Sequence, residues 1–327
     1  MTFTLPDHWV WDFWIADTGT EFHLFYLHAP RSLGDPHQRH RNAMIGHAIS
    51  ADLREWRDLG PILGPGTPDR FDGTAKWTGS VVRGDDGRWR MFYTGSRFLH
   101  PVEHTNIESV GVAVSDDLHE WEPSERALIT ADSRWYETLA DRTWHEEAWR
   151  DPWVYRDEDG WHMLITARAA HRTTHPGVDR RDLGVVGHAT SADLIEWTAA
   201  EPLSAPGSGF GHLEVLQRFD WEGRTFVLFS CDLLHLAGAR RESASAGGIW
   251  VAEESADGAG YRIEESRLLA DESLYAGRIV ADRAGGLALM AFRNGESDGT
   301  FVGGLIDPIP LVSDADGWPA LAAGAHA

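Results

Sequence analysis

The chain has 327 residues, 42% of them apolar and 11% aromatic, with 16 Trp and a single Cys. Its 51 Asp plus Glu against 29 Lys plus Arg leave a formal charge of −22, a surface that repels phosphate backbones and anionic lipids and argues against nucleic-acid or membrane partners. One cysteine excludes an intramolecular disulfide, MTFTLPDHW has no secretory character, and no apolar run approaches the roughly 20 residues of a membrane span, so a soluble cytoplasmic protein is expected.

In chain order, the first strand-like run is WVWDFW at 9–14, which sets Asp12 among Trp9, Trp11, Phe13 and Trp14. A carboxylate in so apolar a run is costly to bury unless it is paired or useful. Next come EFHLFYLHA (21–29), rich in aromatic and branched residues, and GHAISADLREW (46–56), a short strand, a polar turn and a Trp. This pair of runs recurs as RWRMFYTGS (88–96) with GVAVSDDLHEW (111–121), and as GWHMLITAR (160–168) with GHATSADLIEW (187–197). RTFVLFSCD (224–232) with GGIWVAEES (247–255) is a weaker fourth copy; GLALMAFRN (286–294) with FVGGLIDP (301–308) is a degenerate fifth.

Copies lie roughly 55 to 75 residues apart, longer than common propeller repeats of roughly 40 to 50. Five four-stranded units repeated radially predict an all-β, five-bladed β-propeller, with antiparallel blades around a central axial pocket. No long amphipathic helix suggests βαβ units, and no break in composition separates a second domain. Residues 1–327 are therefore expected to form one propeller, with the stretch after Leu311 closing the chain as a frayed segment.

Twelve or thirteen residues before the second-strand anchors Leu24, Met91, Met163, Val227 and Leu287 stand Asp12, Thr78, Asp151, Glu214 and Tyr275. These five positions are expected to be equivalent, one per blade, on the strand lining the axis. Three of them are carboxylic acids. Such a ring suits glycoside hydrolysis or a cation held by oxygen ligands. The nearby Trp11, Trp77, Trp149 and Trp153 favour a sugar, because a metal cage needs no stacking surfaces. Crowding three acids should also raise the pKa of one of them.

These residues resemble the five-bladed furanosidases of glycoside hydrolase families 32 and 68. VWDFW is similar to the WDxW nucleophile motif, WTGS at 77–80 to (W/F)SGS, and IGHAISADLREW to WGHAxSxDLxxW. WRDP at 149–152 carries the RDP signature, and LYAG at 274–277 resembles FYAxQ. The resemblance implies a retaining β-fructofuranosidase. Asp12 would be the nucleophile, a protonated Glu214 the acid/base, and Asp151 with Arg150 the pair that binds ring hydroxyls. Glu214 stands in HLEVLQ, not the ECP or ERP context of these families, and is placed by position and blade phase. The chain ends before the C-terminal β-sandwich usual in family 32, which brings it closer to family 68 or the related families 43 and 62.

The remaining substrate-binding candidates are Trp11, Trp77, Thr78, His212 and Tyr275, with His212 on the strand face of Glu214 and able to tune it. The expected partner is an oligosaccharide such as a small fructo-oligosaccharide; no cofactor and no metal are expected. Arg97, His100, Glu103 and His104 fit either a pocket rim or a solvated loop. His37, His40 and His47 lack tight ligand spacing and read as surface histidines; Cys231 reads as a small buried hydrophobe. Two other functions stay open: an inverting arabinofuranosidase or xylosidase-type enzyme, and a propeller that binds sugar without cleaving it.

Overall fold

The computed structural model describes residues 3–170, 177–295 and 300–322. Blade one comprises β1 (His8–Asp17), β2 (Phe22–Pro30), β3 (Met44–Ser50) and β4 (Arg57–Leu63). Blade two comprises β5 (Ala75–Arg83), β6 (Trp89–Phe98), β7 (Asn106–Ser115) and β8 (Glu122–Pro123). Blade three comprises β9 (Trp149–Asp157), β10 (Gly160–Arg168), β11 (Gly184–Ser191) and β12 (Thr198–Ala200). Blade four comprises β13 (Glu214–Trp221), β14 (Arg224–Cys231), β15 (Gly248–Glu253) and β16 (Arg267–Asp271). Blade five comprises β17 (Leu274–Ala281), β18 (Leu287–Arg293), β19 (Ile309–Ser313) and β20 (Pro319–Leu321). Each sheet pairs its strands in chain order, and the five together make the expected β-propeller. Among the described residues only Gly238–Ser243 is α-helical.

The repeated SxDL segments are corners between third and fourth strands. Ser50, Ser115 and Ser191 each accept the backbone N–H of the Leu three residues on, at 2.9–3.0 Å. Asp52, Asp117 and Asp193 cap the next N–H groups through their carboxylates. These local bonds hold Leu53, Leu118 and Leu194 at φ between 64° and 69°, a left-handed conformation that costs a Leu roughly 1–2 kcal/mol. The leucine side chains are buried in return. At the head of the same motif, a Cβ on Gly46 would stand 2.3 Å from the Tyr26 ring, so this position admits no side chain.

Apolar clusters fill the wedges between neighbouring blades. Innermost strands lack a second sheet partner, and their backbone groups need one elsewhere. Hydroxyls of adjacent blades supply several: Thr94 Oγ1 accepts from Asp151 N at 2.8 Å, Ser80 Oγ from Val154 N at 3.1 Å, and Ser230 Oγ from Ala276 N at 3.0 Å. Gln217 pairs with both backbone groups of Ile279 at 2.7 and 2.8 Å. Beneath the pocket, buried Arg278 donates to the carbonyls of Phe13, Gly79, Val215 and Leu216, tying blades one, two and four to blade five.

One expectation about the last blade needs correction. FVGGLIDP does run beside β18, with Ile306 N on Ala291 O and Gly303 N on Arg293 O, but the regular third strand starts only at Ile309. The stretch after Leu311 closes the blade by supplying β20, paired with β19 from Leu311↔Leu321 to Ser313↔Pro319, and residues 323–327 lie outside the described ones. Leu305 also pairs with Phe3, and Gly304 N donates to Val10 O at 2.7 Å. The ring is thus closed by contacts between the first and last blades.

Candidate active site

Every innermost strand carries a bulge where it crosses the axis. Asp151, Val215 and Ala276 hold its left-handed position in β9, β13 and β17, with φ of 58°, 56° and 48°. The five ring positions therefore do not share one register, as the spacing had implied. Glu214 and Tyr275 are level with Arg150, while Asp12 sits inside the bulge between Val10 and Phe13. Because a bulge re-aims the side chains around it, residues one or two positions out of register still reach one place.

That place is a cavity of about 440 Å³. Asp12, Asp151 and Glu214 line it together with Trp11, Trp77, Thr78, Arg150, His212 and Tyr275, so all nine catalytic and substrate-binding candidates are gathered there. Trp149 and Trp153 are not. Trp149 is fully buried edge-on to Tyr136, and Trp153 packs below the cavity near Arg278, because the bulge at Asp151 breaks the alternation that would have placed both tryptophans on the face of Asp151.

Loops add walls that strand periodicity could not reveal. Arg39 and His40 come from the segment between β2 and β3, His104 from the β6–β7 connection, and His145 and Glu146 from the approach to β9. Asp232 and His235 follow β14. The surface reading of the early histidines is thus wrong for two of three. His40 lines the cavity, and its carbonyl accepts the Trp77 indole N–H at 2.8 Å. His47 is buried in blade one, 3.0 Å from His23. Of the β6–β7 candidates, only His104 reaches the wall.

One cation organises the acids. Arg150 is buried and donates through Nη1 to Glu108 Oε2 at 3.0 Å and Glu146 Oε1 at 2.8 Å, and through Nη2 to Glu214 Oε1 at 2.9 Å. Burial opposes its charge, but these carboxylates and Asp151 outweigh burial and raise its pKa. Tyr275 Oη donates to Glu214 Oε2 at 2.6 Å. Asp151 Oδ2 accepts from Thr166 Oγ1 at 2.9 Å and Val215 N at 3.1 Å. Thr78 Oγ1 donates to Asp12.

The proton distribution follows from these partners. Burial, reinforced by the charges of Asp151 and Glu214, pushes Asp12 up to about 7 despite the Thr78 bond. Burial likewise lifts Asp151 to about 6, against the pull of Arg150. Burial also acts upward on Glu214, yet His212, Arg150 and Tyr275 outweigh it and hold this carboxyl well below the usual range. Burial lowers His212 itself to about 4, so near neutrality the Arg150 and Tyr275 hydrogen bonds keep Glu214 ionised. The proton expected on Glu214 therefore rests on Asp12 in this arrangement. Behind them Glu108, fully enclosed, is pushed up to about 8 by burial in spite of Arg150.

Fold and cavity together define a propeller with an axial pocket of paired carboxylates, aromatic faces and one arginine. Residues 14–178, half of the chain, match the N-terminal domain of glycosyl hydrolases family 32, and the chain belongs to that family. The matched stretch includes Thr78, Arg150 and Asp151, while Asp12, Glu214 and Tyr275 lie outside it. A β-fructofuranosidase (insoluble isoenzyme 2) of Daucus carota is 28% identical over 185 residues, which cover 55% of this chain and 26% of that protein. The sucrose-6-phosphate hydrolase of Bacillus subtilis is 26% identical over 235 residues, covering 70% and 43%. The chain thus matches less than half the length of either relative. Among solved structures, an inulosucrase of Halalkalicoccus jeotgali bound to kestose superposes with a TM-score of 0.75 at 22% identity, covering 99% of this chain and 90% of that one. A family 32 β-fructofuranosidase of Bombyx mori gives 0.72 at 19% identity, covering 98% and 64%. Both share the fold.

Proposed function

We propose that the chain is a retaining glycoside hydrolase acting on β-fructofuranosides such as sucrose or small fructo-oligosaccharides. The observation that carries this reading is the convergence of Asp12, Asp151 and Glu214, from three blades, on one sugar-sized cavity with Arg150 bridging to Glu214. Asp12 attacks the anomeric carbon as the bond to the leaving oxygen breaks, and Glu214 gives that oxygen a proton. Water then returns a proton to Glu214, its oxygen bonds the anomeric carbon, and Asp12 is freed. Asp151 and Arg150 hold the ring hydroxyls, and Trp11 and Trp77 offer apolar faces to the ring.

The mechanism requires a proton transfer within the acid cluster. One proton near neutral pH belongs to Asp12 and Glu214 as a coupled pair, and the reactive form carries it on Glu214. A leaving-group oxygen approaching Glu214 competes with Tyr275 and Arg150 for that carboxylate, which raises its proton affinity while Asp12 ionises for attack. The propeller alone is proposed to hold the site, since the lining residues run from Trp11 to Asn294. No helix among the described residues is long and apolar enough to cross a membrane, and a cytoplasmic setting is proposed from the single buried cysteine.

The test is hydrolysis of sucrose and inulin-type oligosaccharides by the wild type and by Asp12→Ala, with the anomer released followed by NMR. Initial release of the β-anomer from a β-fructoside, abolished in Asp12→Ala, is the expected result. The α-anomer would establish inversion, and sugar binding without turnover would establish a non-catalytic propeller.

A further inference from the structure

The wall beyond Glu214 brings together three residues that the hydrolytic reading does not need as a set. His212 immediately precedes β13, and Asp232 and His235 occupy the turn after β14. Among the described residues this is the one place where three ligand atoms of His, Cys, Asp or Glu lie within 4.8 Å of one another. Asp232 and His235 are neighbours three residues apart in one turn, and the pairing of β13 with β14 brings His212 to them.

A second observation points at a ligand. His212 is 5% exposed, yet its Nε2 has no hydrogen-bond partner. A buried polar atom left unpaired is destabilising, and a cation at this atom would satisfy it. The His212 and His235 rings lie 4.4 Å apart at 36°. Asp232 and His235 Nδ1 lie 2.9 Å apart, so a cation bound by both takes the place of the proton they share. The indole of Trp144 stands edge-on to both rings, at 6.4 and 5.8 Å, and shields them from one side.

We propose that His212, Asp232 and His235 bind one transition-metal cation of the zinc type, and that its occupancy blocks the cavity's chemistry. Two imidazoles and a carboxylate suit such borderline cations and do not suit Mg²⁺ or Ca²⁺, which take oxygen ligands. Coordination through Nε2 moves the His212 ring proton to Nδ1, so the long 3.4 Å approach of Arg150 to that atom must open. The cation also lies beside Glu214, whose Oε2 is 3.4 Å from His212 Nε2, close enough for that carboxylate to join the ligands and be withdrawn from the leaving oxygen. The inhibition rests on Glu214 acting as acid/base; the binding does not.

The experiment is Zn²⁺ titration of the full chain by calorimetry and by competition with a chromophoric chelator, with sucrose hydrolysis followed in parallel. The wild type should take up one Zn²⁺ per chain, ignore Mg²⁺, and lose turnover as Zn²⁺ binds. His235→Ala and Asp232→Asn, with folding checked by thermal melting, should bind roughly 10- to 100-fold more weakly, and their residual turnover should resist Zn²⁺. His37→Ala and His104→Ala should bind like the wild type. Absence of stoichiometric binding, unchanged binding in His235→Ala, or loss of binding in the His37 or His104 variants instead would overturn the site. Stoichiometric binding lost in His235→Ala, in a chain that cleaves no fructoside, would retain the site and sink the hydrolase.

Discussion

The corners of the blades and their axial strands obey opposite rules. Three corners repeat the same Ser, Asp, Leu and Trp at the same spacing and form the same hydrogen bonds. The five axial bulges share a backbone device, yet place Asp12, Thr78, Asp151, Glu214 and Tyr275 around the cavity. A corner has the same task in every blade, which is to reverse the chain and bury one Leu. The axis has a single task that no one residue can perform, so its blades must differ. Repetition therefore marks structure in this chain, and departure from it marks the pocket.

The largest effects should come from the axis. Asp12→Ala should reduce kcat on sucrose by roughly ten-thousandfold, the scale on which removing one member of a catalytic set acts. Its stability should move the other way. A carboxyl raised from its ordinary value to about 7 binds its proton more tightly in the folded state, so stability falls as pH climbs from about 4 to about 7. Asp12→Asn removes that penalty and should stabilise by about 2 kcal/mol at pH 8, with no gain at pH 4, in denaturant titrations. A loss of stability at pH 8 would remove Asp12 from the desolvated cluster. Next in size is Arg278→Met, which abandons carbonyls of three blades. It should cost about 3 kcal/mol in the same titrations; a neutral result would mean that water replaces the guanidinium.

These effects also separate what the residue pattern could reveal from what it could not. Strand-forming runs repeat, so blade number and strand order were legible from those runs, and Asp12, Asp151 and Glu214 from their place in the repeat. The bulge was not, because its extra residue appears only as an offset of twelve or thirteen to the anchor, too small to read as a register change. Trp149 and Trp153 were misplaced for the same reason: a bulge at Asp151 decides which neighbours face inward. Loop residues such as Glu146 and Asp232 carry no periodicity, though Asp232 follows a second-strand run directly and could have been weighed. The proton on Asp12 was out of reach, since it depends on Arg150 and Tyr275 meeting Glu214 across blades.

Tyr275 probes the axis with a smaller change. The shared proton leaves the pair as pH rises through about 7, so kcat/KM should fall on the alkaline side of that value. Tyr275→Phe removes a 2.6 Å donor that favours ionised Glu214. Glu214 then holds its proton more firmly, so the reactive form with the proton on Glu214 gains up to about tenfold, the equivalent of about 1.4 kcal/mol, and kcat/KM below pH 7 should rise while the alkaline limb, set by Asp12, stays in place. An unchanged kcat/KM would show that this tyrosine does not tune the acid.

The corners should give the smallest and most uniform response. Ser50→Ala, Ser115→Ala and Ser191→Ala each delete the hydroxyl that accepts the N–H of a left-handed Leu. Each should cost about 1 kcal/mol. Because the three lie in different blades and share no partner, the triple variant should lose the sum to within about 0.5 kcal/mol. Their kcat/KM should match the wild type, since these corners do not line the cavity. A serine whose loss impaired turnover while sparing stability would break the division between repeated corners and divergent axis, because it would couple a structural repeat to the chemistry.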